Sequence, residues 1–176
     1  MQRPFDLRAA TAADVDLTYA ITEDAMRGYV EATWGRWDAA EQRAKHEANF
    51  TPATHRIIEV STGSPADAAL AGAVADVRAH VGTHWVPAGL LAVEDLPEHL
   101  WLVKLYLLAP FRGQGVGSAV LRGVMADAAA LGKPLYLRVL RVNTGAQALY
   151  RRHGFEVVGE TPERLFMQWT PPDGTH

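Results

Sequence analysis

The sequence predicts a mixed α/β domain of three layers, with helices flanking one mixed sheet. Three observations carry that expectation. Apolar residues alternate with polar ones, or run almost unbroken as from Leu100 to Leu108, in several short segments, some of them consecutive in the middle of the chain. Other segments place apolar residues three and four apart, open on capping signals and close on glycine. Strand and helix patterns interleave, which puts helices against a sheet. With 176 residues, 48% of them hydrophobic and 21% charged, the chain suits one domain, 1–176, with a real core.

Taken in order, Phe5 to Arg8 reads as an edge strand. Thr11-Ala-Ala-Asp14 then resembles a capping box, and the helix it opens carries Leu17, Ala20, Ile21 and Ala25 on one face and should end near Gly28. Tyr29 to Trp37 is expected as a connection crowded with aromatics. Asp38-Ala-Ala-Glu41 starts a second helix toward Asn49. Arg56 to Val60 is a strand and Ser61 to Ala66 its turn, marked by Gly63 and Pro65. Ala75, Val77, Ala79 and Val81 alternate with polar neighbours as in a half-buried strand. Residues 82–99, with Pro87, Gly89 and Pro97, are expected as an excursion with a short helix over the sheet.

Leu100 to Leu108 is an almost unbroken apolar run, interrupted by Lys104, as a central strand should be. The next helix has Val116, Val120, Val124 and Ala128 four apart and stops at Leu131-Gly132-Lys133-Pro134. Leu135 to Val142 is a strand. Asn143 follows at a helix N-cap position, with Ala146, Leu149 and Tyr150 on the apolar face. Phe155 to Val158 and Leu165 to Trp169 close the pattern as two strands, and the tail from Pro171 should fray.

Composition removes several function classes. A net charge of −3 offers no field for nucleic acid or an anionic membrane. No cysteine is present, so thiolate catalysis, disulfides and cysteine zinc sites are out. The seven histidines are scattered and no metal is expected. No stretch reads as a signal peptide or membrane span, so a soluble, cytoplasmic protein is expected.

The stretch with chemistry in it runs from Leu105 to Ser118: an apolar strand, a break at Pro110, then Gly113, Gly115 and Gly117 at alternate positions before a helix. Glycines let a main chain approach a ligand closely, and the first turn of a helix presents free N–H groups with a favourable dipole for an anion. A tight connection with no ligand fits the same pattern. Two familiar phosphate loops do not: no lysine follows Gly117, and Ser118 stands where a dinucleotide fingerprint needs its third glycine. What remains is Arg112-x-x-Gly115-x-Gly117 after a strand.

That pattern resembles the pyrophosphate loop of the GNAT superfamily of acyl-CoA-dependent N-acyltransferases. The resemblance continues in Asn143-Thr-Gly-Ala-Gln-Ala-Leu-Tyr150 followed by Gly154-Phe155, and covers roughly residues 100–169. It implies a mostly antiparallel central sheet, with acceptor-side helices and first strands in 1–60 and an acetyl-CoA-binding core in 100–169. Acetyl-CoA would be held by the main chain of Leu105, Tyr106 and Leu107, by Arg112, Gly113, Gln114, Gly115, Val116, Gly117 and Ser118, and by Asn143. Tyr150 would be the general acid, its phenol protonated at neutral pH and able to donate to a thiolate. The connection bearing Tyr29, Glu31, Trp34 and Trp37 would border the acceptor.

The resemblance implies an N-acetyltransferase that moves the acetyl group to a primary amine by direct attack in a ternary complex. Without cysteine, no thiol can carry the acyl group. The acceptor is a small-molecule or peptide amine, with no nucleic acid, membrane or metal involved, and a homodimer is left open. Some family members carry a carboxylate base five residues before the asparagine; here that residue is Arg138, which cannot take a proton. Glu31, Asp95, Glu98, His99 or a water chain are the alternatives. Arg138 also favours a second reading, a non-catalytic acyl-CoA sensor. A nucleotide-binding protein is a third.

Overall fold

The computed structural model describes residues 4–62, 78–80 and 83–172. The chain begins with β1 (Phe5–Ala9), a single 3-10 turn (Ala12–Asp14), α1 (Val15–Trp34) and α2 (Ala39–Asn49). Then come β2 (His55–Thr62), β3 (Arg78–His80), β4 (Thr83–Asp95) and β5 (Leu100–Leu107). A second 3-10 turn (Ala109–Phe111) leads to α3 (Val116–Ala130), and β6 (Leu135–Leu140), α4 (Thr144–Arg152), β7 (Glu156–Glu160) and β8 (Arg164–Trp169) complete it. Seven strands hydrogen-bond in the order β1-β2-β4-β5-β6-β8-β7, with β3 on β4. β5 and β6 run parallel, while β1–β2, β2–β4, β3–β4, β6–β8 and β7–β8 are antiparallel. The sheet is therefore mixed and mostly antiparallel, as expected.

The chain gathers into two compact units. One takes Met1–Arg27, Trp37–Ala92 and Lys104–Gly117; the other takes Gly28–Arg36, Val93–Val103 and Ser118–His176. The first buries Ile21, Ile57, Ile58, Val60, Val86, Leu90 and Val116 completely. Its entry is fixed by Asp14, which accepts from the Thr11 N–H at 2.8 Å and takes both Nη atoms of Arg8 at 2.9 Å. Arg8 Nε donates to Glu59, a buried carboxylate, at 3.0 Å. The second unit buries Leu121, Leu135, Leu137 and Met167.

Two expectations need correction. α1 does not end near Gly28 but runs on to Trp34, and stops where Gly35 turns to φ +88°. A glycine inside a helix costs only about 1 kcal/mol, and Val30, buried at 9% exposure, extends the apolar face past it. Tyr29, Glu31 and Trp34 are thus helical, and only residues 35–38 connect α1 to α2. Of the excursion expected over 82–99, residues 83–95 are instead β4, a strand of 13 residues. Its proline is absorbed by a bulge: Ile58 faces Gly89 while Glu59 faces Pro87, which leaves Ala88 as the extra residue.

Smaller differences are at element ends. Ser61 and Thr62 belong to β2 rather than its turn, and β6 stops at Leu140 rather than Val142. The remainder of the Gly63–Pro65 turn, most of the Ala75–Val81 alternation outside β3, and residues 173–176 of the tail lie outside the described residues.

Candidate functional site

The peptide groups of β5 change sides along the strand. Leu100 N–H donates to Pro134 O, just ahead of β6, whereas Leu108 N–H donates to Ala88 O on β4. Both residues are even-numbered, and strict alternation would send both the same way. The alternation therefore slips once between them. Tyr106 O also lies on the β4 side, 2.2 Å from where a Cβ on Gly89 would be. From there, Leu105 and Leu107 turn their main chains away from β4. On that side β6 pairs with β5 only through Leu102.

The strand runs directly into the glycine loop. Gly113 and Gly115 have φ of +71° and +80°, a region costly for any residue with a Cβ. Gly117 is different: it lies in the first turn of α3, and its Cβ would meet only Leu107 Cδ1 at an ordinary 3.5 Å. Gln114 bridges back to Pro110 O at 2.6 Å, Val116 is fully buried, and Ser118 follows within the first turn.

Arg112 has partners of its own. Its Nε donates to Leu107 O at 2.8 Å and its Nη2 to Asp24 Oδ2 at 2.8 Å, while Asp24 also accepts from Ala109 N–H at 3.1 Å. Asp24 thus pins the loop to α1. No motif announces it, because its partners lie 85 and 88 residues away.

The second unit holds the asparagine and the tyrosine. Asn143 caps α4, its side-chain oxygen accepting from Ala146 N–H at 3.1 Å. Gln147, which periodicity does not single out, is buried and donates to Leu140 O and Arg141 O, fixing α4 to the end of β6. Tyr150 is 8% exposed, its ring 5.6 Å from Phe155. Arg138 is exposed on β6, in register with Phe166.

The aromatic residues divide. Tyr29, Glu31 and Trp34 occupy the last turns of α1 in the second unit, while Trp37 belongs to the first. Arg164 sits 5.3 Å above the Trp34 ring, so that face already carries a cation from the protein itself. Among the base candidates, Asp95 accepts from Lys133 Nζ at 2.5 Å, Glu98 is exposed, and His99 packs 4.9 Å from the Tyr136 ring.

Among the described residues, no helix is long and apolar enough to cross a membrane.

Comparison with known proteins fits this geometry. Similar solved structures include an N-acetyltransferase, PaiA, from Thermoplasma acidophilum in complex with coenzyme A. It is 12% identical over 95% of this chain and 99% of its own, with a TM-score of 0.64. An acetyltransferase from Thermus thermophilus is 18% identical over 97% of this chain and 99% of its own, also at 0.64. At such identities these likenesses speak for the fold. No curated protein matches the sequence. The family model described as acetyltransferase (GNAT) family matches residues 37–155, and the chain accordingly belongs to the GNAT acetyltransferase family.

Proposed function

We propose that this chain is an N-acetyltransferase that moves an acetyl group from acetyl-CoA to a primary amine by direct attack in a ternary complex. The observation that supports this most is the continuous run from β5 into α3. Leu105 and Leu107 turn their main chains away from β4, on a stretch of edge that β6 does not engage, and the strand leads to two left-handed glycines and a helix N-terminus. An extended pantetheine arm can add to such an edge as a strand would, and a pyrophosphate suits the exposed N–H groups beyond it.

Acetyl-CoA supplies an activated carbonyl on a sulfur leaving group. Main-chain N–H at Leu105 or Leu107 would hydrogen-bond that carbonyl oxygen and favour the charge that develops on it. As the amine nitrogen bonds to the carbonyl carbon, the carbon–sulfur bond breaks. Tyr150 would give its phenolic proton to the departing thiolate and recover one from the new amide nitrogen. The Tyr150 ring packs against Phe155, a contact that Tyr150→Phe keeps.

The test is release of free CoA across a broad panel of amines. With the best acceptor, Tyr150→Phe should lower kcat about 100-fold or more with unchanged acetyl-CoA affinity. An unchanged kcat would remove Tyr150 from the mechanism. Arg138 at the position of a base supports the alternative sensor reading, which predicts acetyl-CoA binding without turnover of any amine.

A further inference from the structure

The first unit contains a buried group of basic side chains that the chemistry above leaves unused. His46 on α2 and His55 at the start of β2 are 5% and 4% exposed. Phe50 links them, 5.8 Å from the His46 ring and 5.1 Å from the His55 ring, and Tyr19 of α1 closes the other side of His46 at 5.7 Å. Lys104 of β5 is half-buried, and its charge bears on both rings.

Hydrogen-bond partners fix the two tautomers. The Thr18 hydroxyl reaches Asp14 O at 2.9 Å and Val15 O at 3.1 Å, which commits its proton to a carbonyl. It must then accept the Nε2–H of His46, at 2.9 Å. His55 Nδ1 lies 2.9 Å from Thr51 O, which only accepts, so Nδ1 carries the proton. His46 Nδ1 and His55 Nε2 remain as lone pairs, and both are buried without a partner. Two buried acceptors facing no donor are a cost that a folded chain seldom leaves standing.

No described carboxylate pairs with Lys104 either. Glu59, on the same strand as His55, is engaged by Arg8. Burial holds the lysine amine down to about 8. Burial first, then the charge of Lys104, holds His46 down to about 4 and His55 below its usual value. The titratable and charged groups facing this cluster are Tyr19 from α1, Arg43 and His46 from α2, His55 from β2 and Lys104 from β5. The carboxylates Asp16 and Glu47 enter through Arg43, to which both are paired.

We propose that Lys104 is the base that takes the proton of the acceptor ammonium, a role that rests on the acetyltransfer reading above. Its backbone immediately precedes Leu105, whose main chain is offered to the acyl carbonyl, so the amine that must be deprotonated arrives beside it. The other side-chain candidates are poorly suited: Glu31 and Glu98 are exposed, Asp95 is paired to Lys133, and His99 is packed among aromatics. The histidines are too weakly basic to serve themselves, but their lone pairs can take N–H hydrogens of the lysine ammonium through water. The steps balance. One proton passes from the acceptor ammonium to neutral Lys104, and the freed amine attacks the thioester. A second proton leaves the nitrogen as the carbon–sulfur bond breaks and ends on the CoA sulfur, and Lys104 returns its proton to solvent.

The chain has three lysines, Lys45, Lys104 and Lys133, and no cysteine, which makes the test specific. In ligand-free protein carrying ¹³Cε-lysine, one of three resonances should titrate well below the other two, and that resonance should vanish in Lys104→Met. Three resonances titrating together would overturn the proposal. With the best amine, Lys104→Met should lose about 100-fold or more in kcat/KM, the size of a lost general base, with unchanged acetyl-CoA affinity.

Lys104→Cys can then be alkylated with 2-bromoethylamine in denaturant and refolded. The resulting thioether amine is less basic than lysine. Restored activity with the acidic limb of the kcat/KM profile moved to lower pH supports the base role. Restored activity with an unmoved limb, or no restoration in a protein that still binds acetyl-CoA, overturns it. If Lys104→Met itself fails to fold, the alkylated variant decides by the same criteria. Wild-type protein that turns over no amine refutes the acetyltransfer reading; wild-type turnover matched by Lys104→Met refutes the base alone.

Discussion

Gly89 gives the sharpest mechanical prediction, because a single added carbon would strike a main chain rather than a side chain. A Cβ at this position would be 2.2 Å from Tyr106 O, 2.8 Å from Leu107 Cδ2 and 3.2 Å from Ile58 Cδ1. Real Cβ contacts essentially never fall under 3.0 Å, so β4 and β5 must part by at least 0.8 Å, the difference between 3.0 and 2.2. The neighbouring bond from Leu108 N–H to Ala88 O, now 2.8 Å, would stretch toward or past the limit of a hydrogen bond. Overpacking of this kind costs about 1–3 kcal/mol, and a lost hydrogen bond roughly 0.5–1.5 kcal/mol. Together, Gly89→Ala should destabilise the chain by about 2–4 kcal/mol, which for a protein of this size lowers Tm by roughly 4–16 °C.

The same displacement moves Leu105 and Leu107, so the variant should also bind acetyl-CoA more weakly even below its Tm. Thermal melts with and without acetyl-CoA, and calorimetric titration at a temperature where the variant is folded, would read both effects. A Gly89→Ala protein with wild-type Tm and wild-type affinity would refute the close approach and, with it, the idea that this part of β5 positions the cofactor.

Two further predictions concern pH and stability. Asp14 is held down to about 2, first by its hydrogen bond with Arg8. Its folded value lies below its unfolded one, so its contribution is present above about pH 4 and lost as pH falls toward 2. Asp14→Asn should cost about 1–2 kcal/mol at pH 7 after allowance for screening, and urea unfolding should show that difference shrinking between pH 4 and 2. His46, held down to about 4 by burial first, is neutral when folded and takes up a proton on unfolding. Wild-type stability should therefore fall as pH drops from 6.5 to 4, by an amount on the order of 2 kcal/mol. His46→Gln should flatten that slope; an equal slope in both proteins would mean that other groups carry it.

Much of the architecture is legible in the sequence because the signals are local. Asp38 accepts from Glu41 N–H at 3.0 Å as the spacing suggests, Gly132 takes φ +64° at the end of α3, and Asn143 caps α4. The glycine loop is legible for the same reason, since each of its conformational demands is met within a few residues. The misreadings come from places where tertiary packing overrides a local breaker. Gly28 does not stop α1 because Val30 finds a buried place beyond it, and Pro87 does not break β4 because the strand bulges there. Asp24 and the His46–His55–Lys104 cluster were out of reach for a different reason. Their meaning lies in partners brought from distant segments, and an isolated histidine on a helix looks the same whether or not its free nitrogen ends up buried without a partner.

Lys104 also joins function to stability in a way that separates a working residue from a structural one. Its folded pKa of about 8 lies below the unfolded value of 10.5. Between these values the unfolded chain holds more protons than the folded one, so stability rises with pH across that window, and below pH 8 the full penalty applies. Converted, the shift is on the order of 2–3 kcal/mol against the fold at neutral pH. Methionine keeps most of the unbranched stem without the charge, so Lys104→Met should be more stable than wild type at pH 7, with the gain fading as pH approaches 10.5. A residue kept for packing or for a salt bridge would behave in the opposite way and lose stability on substitution. If Lys104→Met melts at or below the wild-type temperature at pH 7, the amine is better accommodated than its burial implies, and a lysine primed by desolvation would no longer account for how the acceptor loses its proton.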